Sequence, residues 1–255
     1  MSGPTKPTII IFPGAFHPVS CLGPFIKALK DVGFPAEAHT LPSVGNPDIE
    51  AEDDVAFFRS VMMPHIEDGK DVLLVVHSYA GIPGAGAIAG LDKSGREARG
   101  AKGGVLGIAY LAAFVPREGE STYSMLGDTW LWWMKENDAA GLIDTHSHLE
   151  VFYKDCNPVE AAAVTATLKG HSRKALSTGI ENIGYREAGY DGRRAYIRCL
   201  QDNALVLAAQ DAFIENSGVA WVVKTLDSSH SPFLSMPAET AKTVAELATE
   251  FAAAT

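Results

Sequence analysis

"DVLLVVHSYAGIPGAGAIAG", residues 71–90, is the stretch whose reading decides the fold. Its first half is an apolar run of strand length with no polar alternation, which reads as a strand buried on both faces. Its second half is rich in glycine and alanine, small enough for a helix to pack tightly against that strand. Ser78 stands at the turn between them. A serine on such a strand-to-helix turn exposes its hydroxyl at the sheet edge, and the usual spacing is G-x-S-x-G. Here the five residues are Val76-His77-Ser78-Tyr79-Ala80, so both outer glycines are replaced. Gly81 follows and keeps the helix close, while Val76 is the bulky residue the turn must house.

Working outward, five more segments read as strands: "TIIIFPG" (8–14), "AEAHTLPS" (36–43), "GGVLGIAYLAAF" (103–114), "RRAYIRCLQD" (193–202) and "GVAWVVKTLDSSH" (218–230). Helical periodicity separates them. Phe25, Ile26, Leu29 and Val32 recur in "LGPFIKALKDVGF", and Val55, Phe58, Val61 and Met62 share a face of 50–69. The run 205–218 is helical, and Val244, Leu247 and Phe251 line one face of 237–254. Apolar strands alternating with helices mean a parallel sheet covered on both faces, an α/β fold. Residues 116–192 break the alternation. They show helical patterns and no strand, and they are too long for a loop in a compact domain. The expected organisation is a core of 1–115 and 193–255, with 116–192 as a helical cap insertion over the carboxyl ends of the strands, where ligands bind in open α/β sheets.

Composition narrows the function. The chain has 255 residues and a net charge of −10, which argues against nucleic acid and against an anionic membrane as partners. It lacks an apolar stretch of membrane-span length, and its first residues do not form a signal peptide. Cys21, Cys156 and Cys199 are odd in number and scattered, so a disulfide framework or zinc site is not expected, and the reading is cytoplasmic. A homodimer is compatible with these features.

Three residues at strand ends carry chemistry. Ser78, Asp202 and His230 each follow a strand, and in a parallel sheet those ends share one edge. A serine hydroxyl becomes a nucleophile when an imidazole takes its proton, and the imidazole needs a carboxylate to fix its tautomer. Asp227 in "TLDSSH" is a rival for the carboxylate. The amides of Ala15 or Phe16 and of Tyr79 are the expected oxyanion donors, with Gly14 allowing close backbone approach. His17, Trp130 and Trp133 are candidates for substrate contact. His77 reads as packing beneath the turn, and His146 and His148 as a solvated pair without the partners a metal would need.

Taken together, "FPGAFHPVSCLGPFIKAL", "VVHSYAGIPGAGA", "AYLAAFVPREGES", "RCLQDNALVLAAQ" and "SSHSPFLSMPAET" resemble the α/β-hydrolase superfamily over nearly the whole chain. The nearest likeness is to the branch of plant methylesterases, hydroxynitrile lyases and their fungal and bacterial relatives. The resemblance implies an eight-stranded, mostly parallel sheet with a helical cap. It further implies Ser78 as nucleophile, His230 as base, Asp202 as acid, and no metal or organic cofactor. Pro13-Gly14 stands where the branch usually has His-Gly. Its lyases carry a threonine in the oxyanion loop and a lysine after the histidine; Gly14 and Ser231 stand there, so cyanohydrin cleavage is not expected. The leading expectation is hydrolysis of an ester, lactone or thioester of a small, mostly apolar molecule through an acyl-serine. The alternatives are a biosynthetic enzyme using the same site for carbon–carbon cleavage, cyclisation or acyl transfer, and a small-molecule receptor.

Overall fold

The structure is a computed structural model that describes residues 6–254. Six strands form one sheet: β1 (Thr8–Phe12), β2 (Ala36–Ala38), β3 (Asp71–His77), β4 (Gly104–Leu111), β8 (Arg194–Cys199) and β9 (Val222–Leu226). Their order is β2-β1-β3-β4-β8-β9, and every pairing is parallel. All six are the strands legible in the sequence. The eight implied by family resemblance are not found, because the three other strands build a separate sheet.

The chain runs from β1 to β2 on one side, then returns to lay β3 on the other side of β1. Phe12 sits opposite Val76 in that pair, so the loops after β1 and β3 leave the sheet together. This is the switch point of the topology, where a crevice opens at the carboxyl ends. Ile9, Ile10, Phe12 and Val72 through Val76 are fully buried. Each large apolar side chain withdrawn this way stabilises the fold by about 1.5–3 kcal/mol. Val244, Leu247 and Phe251 of the last helix, Pro237–Ala253, close one face, as the periodicity predicts.

The insertion between β4 and β8 departs from the helical expectation. It holds β5 (Met134–Asn137), β6 (Leu142–Thr145) and β7 (His171–Ser172) in an antiparallel sheet, with short helices around it. Asn137 pairs with Leu142 across a turn in which Gly141 takes a left-handed φ of 67°. Strands of two and four residues carry too little alternation to be read from sequence, and the tryptophan-rich run before β5 imitates a helical face. Among the described residues, no helix is long and apolar enough to cross a membrane, and Cys21, Cys156 and Cys199 are buried free thiols.

Candidate active site

Ser78 leaves β3 with a φ of 55°, a left-handed conformation that non-glycine residues adopt at a cost of about 1 kcal/mol or more. The surroundings enforce it. The Ser78 carbonyl accepts a hydrogen bond from the Phe114 amide at 3.1 Å, beyond the end of β4. Gly14 passes so close that an added Cβ would lie 2.6 Å from the Ser78 Cβ. Val76 is housed by a change on the opposite side of the crossing. A Cβ at Gly84 in the helix Gly81–Ala87 would meet Val76 Cγ1 at 2.6 Å. The smallness usually placed on the strand has moved to the helix.

His230 and Asp202 meet at the same edge. His230 Nδ1 lies 2.7 Å from Asp202 Oδ2, and both side chains are buried. A carboxylate only accepts, so Nδ1–H donates this bond, and Nε2 is the ring nitrogen that Asp202 does not engage. The other carboxylate oxygen of Asp202 accepts the amides of Ala204 and Leu205 at 2.7 and 2.8 Å, which fixes its direction. Asp227 is exposed and instead accepts from Gln201 Nε2 at 2.7 Å.

His77 joins the pieces. Its Nδ1 accepts the Gly14 amide at 3.2 Å, which leaves the Nε2 proton to be donated to the His230 carbonyl at 2.8 Å. One neutral imidazole thus ties the loop after β1 to the loop after β9, directly beneath Ser78. Burial, followed by the neighbouring His230 and His17, holds its pKa well below the ordinary value and keeps it neutral.

The two oxyanion candidates of the β1 loop separate cleanly. The Phe16 amide is directed to His171 Nδ1 at 3.4 Å, whereas the Ala15 amide has no partner among the described residues. Tyr79 lies in the first turn after β3, where its amide has no partner within the helix. Of the three candidate amides, those of Ala15 and Tyr79 are therefore the two without a partner among the described residues. Phe16 has a left-handed φ of 72°, held by its amide bond to His171 and by the Lys169 amide on its carbonyl at 3.1 Å.

Two expected substrate contacts lie elsewhere. His17 is buried, with Nδ1 donating to the Ala15 carbonyl at 2.7 Å and Nε2 accepting from the Tyr153 hydroxyl at 2.6 Å. Burial lowers its pKa to about 4, so it is a neutral brace for the loop, not a pocket wall. Trp130 is half-buried away from the cavity: its indole donates to Glu136 at 2.8 Å and its ring rests on Tyr123. A run of three nearby tryptophans cannot face one cavity, and only Trp133 reaches it. Gly14 serves by its absence of a side chain under Ser78.

A narrow cavity of about 20 Å³ lies over Ser78, bounded by Ala15, Phe16 and Tyr79 from the core and by Thr122, Leu131 and Trp133 from the insertion. Sequence reasoning missed several residues around it. His171 of β7 stacks edge-on against Tyr79, at 4.6 Å between rings, and burial drops its pKa to about 3. Asp54 is buried beneath Tyr79 and accepts the Tyr79 hydroxyl at 2.9 Å and the Ser43 hydroxyl at 2.5 Å. Its burial outweighs those bonds and raises its pKa to about 6. Asp155 of the insertion accepts the Ser229 amide at 2.9 Å, one residue before His230. None of these gave a sequence signal: Asp54 stands in the acidic first turn of its helix, which the favourable charge at a helix start already explains.

The α/β-hydrolase family model ("Alpha/beta hydrolase family") matches residues 9–243. The chain is 29% identical over 96% of its length to a fungal protein named probable hydrolase R7, from Phoma sp., and covers 99% of it. In structure it is similar to a pyrethroid hydrolase from Sphingobium faniae, with a TM-score of 0.73 at 20% identity, covering 96% of this chain and 98% of that one. It is also similar to the methylesterase MES16 from Arabidopsis, with a TM-score of 0.71 at 18% identity, covering 95% and 99%.

Proposed function

Because the chain belongs to the α/β-hydrolase family, we propose that it is a serine hydrolase that cleaves a carboxylic ester, lactone or thioester of a small, mostly apolar molecule. The observation that carries this reading is the buried His230–Asp202 pair at the sheet edge that also bears left-handed Ser78. His230 Nε2 takes the Ser78 proton as Oγ attacks the carbonyl carbon, and Asp202 stabilises the imidazolium that forms. The Ala15 and Tyr79 amides receive the developing oxyanion; each such donor is worth roughly 100-fold or more in rate. His230 then protonates the leaving group, and water activated by the same imidazole releases the acid. The insertion, residues 116–192, acts as the cap that chooses the substrate. A narrow cavity walled largely by hydrocarbon supports a small apolar body.

A fluorophosphonate probe is expected to label the protein, and Ser78→Ala is expected to abolish both labelling and release of acid and alcohol from short-chain esters. Labelling that persists in the alanine variant, or an enzyme that turns over no ester, refutes the reading.

A further inference from the structure

The cavity over Ser78 holds one feature that packing does not explain. Thr122 opens the short helix Thr122–Met125 of the insertion, contributes to the cavity wall and is buried. Its Oγ1 is shielded from solvent and from the empty cavity alike and has no hydrogen-bond partner among the described residues, so a bound molecule reaches it by displacing part of the wall. The neighbouring serines do not relieve it, because Ser121 and Ser124 satisfy each other in a capping box. A buried hydroxyl without a partner carries a desolvation cost that a valine of the same shape would not. Leu126, Leu131, Leu176 and Leu205 show that hydrocarbon is what this wall otherwise uses.

We propose that the Thr122 hydroxyl is a recognition group for one neutral oxygen on the substrate. This inference rests on the hydrolase reading of the same site and narrows its substrate class. The favoured substrate is an ester whose hydrocarbon body carries a hydroxyl or keto group in the part held by the insertion. A hydroxyl both donates and accepts, so either oxygen fits. A carboxylate or phosphate there does not, since none of the residues bounding the cavity is Lys, Arg or His.

The test separates binding from turnover. Methyl hexanoate and isomers with a keto or hydroxyl group stepped along the acyl chain, together with butyl butanoate isomers oxygenated on the alcohol chain, are titrated calorimetrically into the Ser78→Ala protein. At least one oxygenated isomer is expected to bind about tenfold tighter than its parent, the size of one good hydrogen bond. That preference is expected to vanish in Ser78→Ala/Thr122→Val and to survive in Ser78→Ala/Thr122→Ser, which keeps the hydroxyl. The melting temperature of Thr122→Val is expected at or above that of the parent, because no protein hydrogen bond is lost. A preference that outlasts Thr122→Val, no oxygenated isomer preferred over its parent, or a lowered melting temperature overturns the proposal. Hydrolysis of the parent esters by the unmodified protein is measured separately. Its absence counts against the triad reading alone, while the binding series still decides the role of Thr122.

Discussion

His77 shows how much a single side chain can organise. It bonds the Gly14 amide on one side and the His230 carbonyl on the other, so it sets the distance between the proposed oxyanion loop and the proposed general base. It touches no substrate-facing space; its role is positioning. His77→Ala is expected to lower kcat by about 100-fold, the usual consequence of displacing reacting groups by an ångström, with KM changing far less. A fluorophosphonate titration distinguishes this from mere loss of folded protein: the full complement of sites should still be labelled, only more slowly. Thr122 and His77 thus divide the work, one reading the substrate and the other holding the machinery.

At the level of elements, the β3-to-helix crossing depends on a matched pair. Gly84→Ala places a methyl 2.6 Å from Val76 Cγ1, and a valine stiff at χ1 cannot swing away. Overpacking of this kind costs about 1–3 kcal/mol. Val76→Ala removes the offending methyl and leaves the new contact at the 3.5 Å that Val76 Cβ already makes, which is ordinary packing. Urea unfolding of the two single variants and the double variant should therefore be strongly non-additive, with Val76→Ala rescuing Gly84→Ala; additivity would refute the pairing. This crossing also marks what the sequence reveals. The six strands and the strand-end positions of Ser78, Asp202 and His230 were legible, most plainly at β1, β3 and β4, where burial on both faces leaves unbroken apolar runs; the order of the strands in the sheet was not. The hairpin of β5 and β6 was not, since four residues hold barely two inward positions. Nor could spacing reveal that His17 and His171 brace the oxyanion loop, because those contacts span distances that only the folded chain closes.

Across the whole molecule, the buried histidines make acid the natural denaturant. His17, His77 and His171 are held below their ordinary pKa by burial, so each favours the neutral form in the folded state. Their stability contribution is complete above pH ~6.5 and is lost as pH falls, because the unfolded chain binds protons that the folded one refuses. Asp54 opposes them: its pKa is raised to about 6, so the folded state is the one that takes up its proton as the pH falls. Between pH 5 and 6 these four groups together predict a net uptake of about two protons on unfolding, each worth about 1.4 kcal/mol per pH unit. Urea midpoints across that window check the slope, and Asp54→Asn should steepen it by about one proton; a flat profile refutes the assignment. Around the candidate site, finally, the insertion is stitched to the core by Lys169 and His171 on Phe16, by Gly170 and Ser172 on Gly45 and Ser43, and by Tyr153 and Asp155 on His17 and Ser229, among further bonds elsewhere. A chimera that transplants only this insertion onto a related scaffold would bring new pocket walls but leave the oxyanion and histidine loops without their braces. Graft boundaries for altering specificity must therefore carry residues 14–17, 43–45 and 229 along with the insertion.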